Sequence, residues 1–266
     1  MAAGDYAFGS LALNDNVNYL VEQAPPQSPP LELQRLPFAS REGSAISYVR
    51  IAENQARLRG LVKGTTFSNT EGFLDALIKQ LYNGEQALKL GYQDERYWNA
   101  RLQTISHTKQ NGLLYAYDAQ FIVADSMGFA ASPSTLSDAA QLVTVSGNLR
   151  RKTLTPTPGG SGPCRPTYTI TFPGAAYGTT ILTVRNVSVS IPQALTITRT
   201  FGATDIVVIN CDTFVVTVNG AVVDFGGQFP LLDPRAGATN SIQIDSTSTS
   251  LSTLTVQIDW RSRWLS

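Results

Sequence analysis

The 266 residues are too many for one small sandwich and suit two domains or a single large one. Only 15% of them are charged against 42% hydrophobic, and Ser, Thr, Gly and Asn fill the difference, which favours β-structure with uncharged polar faces. Twenty basic residues balance twenty acidic ones, so no overall field draws the chain onto nucleic acid or an anionic lipid surface.

Tyr6 to Leu13 alternates apolar with small or polar residues, the period of a half-buried strand, and runs into the turn signal Asn14-Asp15-Asn16. Met1 to Leu20 lacks the basic leader and apolar run of a signal peptide, and no stretch approaches the length of a membrane span, so no membrane insertion is expected. Pro25, Pro26, Pro29 and Pro30 exclude regular hydrogen-bonded structure and leave an extended arm free to reach a neighbour. Ala45 to Val62 reads as two short strands with Leu58, Leu61 and Val62 inside, although Glu53 to Arg59 also has helical character.

One helix is predicted at about 69–83. Ser68 and Glu71 have capping-box spacing, Phe73, Leu74, Leu77, Ile78 and Leu81 recur on one helical face, and Gly84 closes the segment. The period then returns to two, predicting strands at Ala87 to Tyr92, Trp98 to Ile105 and Leu113 to Ala124. In the last of these, Tyr115, Tyr117, Ala119, Phe121 and Val123 share one face, read as core rather than as a binding platform.

Composition shifts at Ala131-Ser132-Pro133-Ser134, which places the expected domains at 1–133 and 134–266. Beyond the shift no helix is predicted. Strands read at Leu142 to Val145, Thr167 to Phe172, Thr180 to Val184, Ala194 to Thr200, Asp205 to Asn210, Thr213 to Val218, Ser241 to Ile244 and Leu254 to Trp260, the pattern of an antiparallel sandwich. Asn219-Gly220 is a two-residue hairpin signal, because both positions need positive φ. Arg150, Arg151 and Lys152 read as a solvated turn, Thr155 to Arg165 with its three glycines as a mobile loop, and Ser246 to Thr253 as a Ser/Thr turn.

Catalytic groups are sparse. Cys164 and Cys211 fit neither a C-x-x-C nor a metal-ligand pattern and read as free thiols, with a bridge between them as the alternative; no metal or cofactor is expected. The single histidine, His107, lies in turn company beside Thr108 and Lys109 and reads as a surface residue rather than a base. Asp224, Asp233 and Asp245 could supply a glycosidase pair, but spacing places no two of them across a scissile bond, and turns favour Asp for backbone reasons. Gly159-Gly160-Ser161-Gly162-Pro163 fits neither a phosphate loop nor a dinucleotide fingerprint, and the sequon at Asn186 reads as accidental. The chain is therefore expected not to be an enzyme. A sandwich can still stack sugars on exposed aromatics, for which Trp260, Trp264 and Tyr177 are the candidates.

Asp205 to Asn210, Val216-Thr217-Val218-Asn219-Gly220, Phe229-Pro230-Leu231-Leu232 and the ending Val256 to Trp260, Arg261, Arg263, Trp264 and Leu265 follow one another in an order that resembles the C-terminal part of siphophage distal tail proteins, the Dit family. The first domain is similar too, through the Tyr6 to Leu13 strand, Arg41-Glu42-Gly43-Ser44, the single helix, and the strands at Leu88 to Tyr92 and Tyr97 to Ile105. Two segments depart from the family: Asp233 to Asn240 is longer than the usual Pro-Gly-x-Asn, and the arm Ala24 to Pro30 is unusual.

The resemblance implies a mainly β fold, with a tail-tube-like β-sandwich and one α-helix at the N-terminus and a galectin-like antiparallel β-sandwich at the C-terminus. It further implies a structural homo-oligomer, a hexameric ring at the virion tail tip. The ring would be assembled in the host cytoplasm, join the tail tube protein to tip proteins, and let genomic DNA through its lumen without specific binding. Arg41, Glu42, Trp260, Arg261, Arg263 and Trp264 are its expected interface residues. A host-glycan adhesion module is the rival reading.

Overall fold

The computed structural model describes residues 6–23, 31–37, 44–51, 54–91, 96–123, 125, 127–139, 141–147, 149–174, 177–189, 193–236, 239–248 and 250–265. The arm at 24–30 and the pair Arg41 and Glu42 lie outside them. The chain divides into two units, Met1–Ala131 with Leu265–Ser266, and Ser132–Trp264.

In the first unit the Tyr6 to Leu13 segment is a tight hairpin rather than one strand. Strands β1 (Ala7–Phe8) and β2 (Leu11–Ala12) fold back at Gly9, whose φ is +57°, and the Leu13 amide closes onto the Tyr6 carbonyl at 2.8 Å. Tyr6, Phe8 and Leu13 are all buried nonetheless. The predicted turn at Asn14 to Asn16 forms as Asp15 accepts hydrogen bonds from the amides of Val17, Asn18 and Tyr19, opening β3 (Tyr19–Gln23).

β4 (Leu31–Pro37) and β5 (Ser44–Ile51) form a separate ribbon, followed by β6 (Asn54–Lys63). The strand reading of 45–62 therefore holds and the helical one at Glu53 to Arg59 does not. Ala56, Leu58 and Val62 are buried while Leu61 is only half-buried, because neighbours along a strand point to opposite faces.

α1 (Phe67–Leu81) starts earlier than predicted, since its N-cap is Thr66, whose hydroxyl accepts the Asn69 amide at 3.2 Å. Ser68 lies inside the first turn and forms no capping box. Thr70, Leu74, Leu77 and Leu81 are its buried stripe, laid against β6, β8 (Arg96–Asn111) and β9 (Leu114–Val123). With β7 (Glu85–Lys89) the sheet runs β2-β1-β7-β8-β9-β6-β3, antiparallel at each pairing, and β10 (Met127–Ala130) pairs the start of β8. Tyr115, Tyr117, Ala119, Phe121 and Val123 form the buried face of β9 as predicted. Each large side chain so buried contributes about 1.5–3 kcal/mol.

The second unit is two six-stranded antiparallel sheets. One is built in the order β11-β22-β14-β17-β18-β19 and the other β12-β13-β21-β15-β16-β20. In chain order these are β11 (Ser134–Asp138), β12 (Val143–Ser146), β13 (Leu149–Leu154), β14 (Thr167–Thr171), β15 (Gly178–Asn186) and β16 (Gln193–Phe201). Then follow β17 (Ile206–Asn210), β18 (Val215–Val218), β19 (Ala221–Val222), β20 (Gly226–Gly227), β21 (Ile242–Ser246) and β22 (Thr255–Trp260). Tyr168, Ile170, Ile209 and Ile258 from one sheet share a core with Leu182, Val184, Ile197 and Ile244 from the other. The β18–β19 turn has φ of +51° at Asn219 and +81° at Gly220, which is the predicted hairpin.

Two sequence readings fail here. Arg150 to Lys152 is not a turn but the middle of β13, and the loop Thr155 to Arg165 is fastened along its length. Gly159 donates to the Ser262 hydroxyl at 3.1 Å, Ser161 and Gly162 donate to the Arg263 carbonyl at 2.9 and 3.0 Å, and Cys164 pairs with Leu232.

Candidate interaction surfaces

The first unit carries an open sheet edge. β7 covers β8 only as far as Arg101, so that Leu102 to Asn111 has β9 on one side and, among the described residues, no strand on the other. At 3.3 Å per residue that is about 30 Å of backbone. The side chains from Ser106 to Asn111 are exposed. Edges are ordinarily blunted by charge or proline, yet Lys109 is the one charged residue here, and its ammonium sits 4.1 Å from the centre of the Phe67 ring. His107 lies on this edge, not in a turn; its ring is exposed and 6.3 Å from that of Tyr115.

Along the β6–β9 pairing, Arg57 and Arg59 converge on Asp118 at 2.5 and 2.9 Å. The Arg57 hydrogen bond foremost, with Arg59 adding, holds the Asp118 carboxyl below its ordinary range.

In the second unit, Asp245 is a node rather than a turn residue. It is 4% exposed, accepts from Arg151 Nε at 2.6 Å, and is met from the other side by Arg185. Desolvation, with the neighbouring Arg151 charge, pulls the Arg185 guanidinium below its usual value. Lys152 is equally buried; its ammonium donates to the carbonyls of Asp138 and Leu254 at 3.2 Å each and pairs with the Asp138 carboxylate at 3.3 Å. These groups were invisible as a set because they come together only through strand register.

The expected carboxylate candidates stay apart in kind. Asp224 is exposed, Asp233 is tied to Arg235, and Asp245 is spent on its two arginines. Of the aromatic candidates, Trp260 is 7% exposed and sits in the core, and Tyr177 is buried with its hydroxyl on the Pro173 carbonyl at 2.8 Å. Neither can stack an incoming sugar. Trp264 and Arg261 are half-buried, and Arg263 is buried with its guanidinium on the Pro163 carbonyl at 3.3 Å. The sequon residue Asn186 is buried too, donating to the Leu231 carbonyl and the Asn240 side chain at 2.7 and 2.8 Å. Cys164 and Cys211 are free and buried, and burial pushes the Cys164 thiol up to about 11 and raises that of Cys211 as well.

This sandwich, closed by a C-terminal segment that staples the 159–162 loop, is also where the sequence finds relatives. Residues 159–264 match the family described as siphovirus-type tail component, C-terminal domain. The match lies within the second unit. Within the matched segment the Phe229 to Leu232 step is structural, since Leu232 is buried and the Pro230 carbonyl accepts the Tyr168 hydroxyl at 2.6 Å.

Among solved structures, that of SPP1 Dit (gp 19.1), described as a paradigm of the hub adsorption apparatus in phages infecting Gram-positive bacteria, superposes with a TM-score of 0.71 at 13% identity, covering 98% of this chain and 99% of that one. The two share the fold over both units. Chains of the phage P2 baseplate in its activated conformation, with Ca and with Sr, are more distant, with TM-scores of 0.45 and 0.47 at 12% and 11% identity and coverage of 93% and 92%. No curated protein sequence matches the chain.

Proposed function

We propose that this chain is a distal tail protein, a non-enzymatic structural component of the tail tip of a non-contractile bacteriophage. Its first unit closes into a homo-hexameric ring that joins the tail tube to the tip proteins, and its second is a peripheral galectin-type module. The family match of the tail-component domain supports the virion setting. The observation that carries the ring is the open edge Leu102–Asn111, because a head-to-tail interface that adds strand to strand satisfies its unpaired backbone groups, and such an interface closes when its rotation does.

The balanced charge suits a lumen that passes DNA without retaining it, since retention would need phosphate-neutralising cations. Arg41, Glu42, Arg261 and Trp264 remain the contact candidates, while the burial of Trp260 and Arg263 turns those two into supports of the domain itself. Assembly in the host cytoplasm and residence at the virion tail tip complete the proposal.

Native mass spectrometry and electron microscopy of the purified full chain test it. A six-fold ring is expected, and globular monomers at high concentration count against it. Ser106→Pro and His107→Pro should separate edge from fold: N–H groups alternate sides along a strand, so one of the two removes an outward donor and should abolish rings while leaving folded monomers.

A further inference from the structure

The tail-component domain opens at one margin into a cleft of about 490 Å³, with Ile197 to Thr200 on one wall and Val222 to Asp224 on the other. It exists because the chain forks. β20 pairs with β16 only at Leu195 and Thr196, whereas Val223 has crossed to the opposite sheet and donates its amide to the Val216 carbonyl at 3.0 Å. From Ile197 onward the margin of β16 on that side has, among the described residues, no strand partner.

Two opposite charges face this cleft and do not meet. Asp224 is exposed and has no hydrogen-bond or ion-pair partner among the described residues. Arg199 lies over the Phe201 ring at 5.8 Å, with its Nε on the Thr200 carbonyl at 3.3 Å, and acts on Asp205 only through its field. Thr198 offers a hydroxyl on the same wall. Next to the polar groups stand apolar surfaces: Val222 is 75% exposed, and Phe225 is 40% exposed and braced edge-on by Phe229 at 5.0 Å.

We infer that this cleft is a binding site for a neutral saccharide. A sugar hydroxyl both donates and accepts, so a ring of them can bridge a carboxylate and a guanidinium that are too far apart to pair. The C–H face of a pyranose needs an apolar surface, which Val222 in the cleft wall supplies, with Phe225 exposed next in sequence to Asp224. The site's own charge sums to zero, which gives an anionic ligand no advantage, and its volume lies in the range of small-molecule sites, roughly 300–1,000 Å³. An extended peptide adding to β16 is the competing occupant, but it would bind through backbone groups and be indifferent to Asp224. The site is independent of the ring, so either reading can fail alone.

The test is saturation-transfer NMR on the full chain with cellobiose, maltose and N,N′-diacetylchitobiose, repeated on Asp224→Asn and Arg199→Gln, with amide spectra confirming the fold of each variant. At least one disaccharide should receive saturation, and each substitution should weaken its binding by about tenfold, the worth of one charge-assisted hydrogen bond. Absence of transfer to all three, or binding unchanged in both variants, overturns the inference. Shifts of the Ile197 to Thr200 amides with an extended peptide and with no sugar would overturn it in favour of strand addition.

Discussion

Arg151 and Asp245 stand opposite each other in the register of β13 and β21, and the guanidinium grips the carboxylate twice, Nε to Oδ1 at 2.6 Å and Nη2 to Oδ2 at 3.1 Å. Arg185 from β15 completes the clamp, so three strands of one sheet are tied at a single carboxylate. Asp245→Ala leaves two guanidiniums facing each other with no counter-charge and is expected to cost about 2–4 kcal/mol. Urea unfolding measures it, and a loss below about 0.5 kcal/mol, typical of surface sites, would show that the clamp is ornamental.

Gly160 has a φ of +92°, and a Cβ there would lie 2.1 Å from the Arg263 carbonyl oxygen, which is backbone and cannot swing away. Gly160→Ala should therefore detach the 159–162 loop from the C-terminal segment and cost about 2–3 kcal/mol or more. Gly220, at φ +81° with nothing within 4 Å, is the control and should cost about 1 kcal/mol as alanine. Thermal melts of the two variants must rank in that order.

Thr66→Ala should destabilise the first unit by about 1 kcal/mol through loss of the hydroxyl cap on Asn69, whereas Ser68→Ala should change it by less than about 0.5 kcal/mol. Equal losses, or the reverse order by chemical denaturation, would return the cap to Ser68.

Cys164 and Cys211 are both 0% exposed, and their thiols are held protonated well above neutral pH by burial. A disulfide-exchange dye should find neither thiol in the folded chain and both in guanidinium, because the thiolate is the reactive species. Fast reaction of either one under native conditions would contradict the packing described.

Acid should weaken the fold. Asp118 is held below the ordinary carboxylate range by Arg57, and Asp205 by the Gly202 amide and then the Asn219 side chain. A carboxyl depressed in the folded state adds stability above its unfolded value of about 3.9, and that stability drains away as the pH falls through the folded value. The urea midpoint should therefore hold steady down to about pH 5 and fall progressively below it, on through about pH 3, and Asp205→Asn should flatten that slope.

Much of the fold was written in local pattern. The helix face Leu74, Leu77, Leu81, the buried stripe of β9 and the Asn219-Gly220 hairpin all follow from spacing and backbone preference within a few residues. Where the reading failed, a local signal was ambiguous. Arg150-Arg151-Lys152 looks solvated because charged runs usually are, and nothing nearby in sequence reveals that Asp138, Asp245 and Leu254 will arrive as partners. His107 took its turn assignment from polar neighbours, which a long exposed strand tolerates equally well.

By itself the sequence settled that the chain is β-rich with one helix and where the Asn219-Gly220 hairpin turns, because side-chain periodicity and φ preferences act over a single turn or strand. It also carried, in the order of its C-terminal motifs, the likeness to siphovirus-type tail components that residues 159–264 match. Only the tertiary structure decided that Trp260 is core, that Asp245 is clamped, that Arg199 and Asp224 face one cleft, and that Leu102 to Asn111 lacks a strand on one side. Those properties belong to pairs of distant segments, and strand register, which sets them, is fixed by the whole sheet at once.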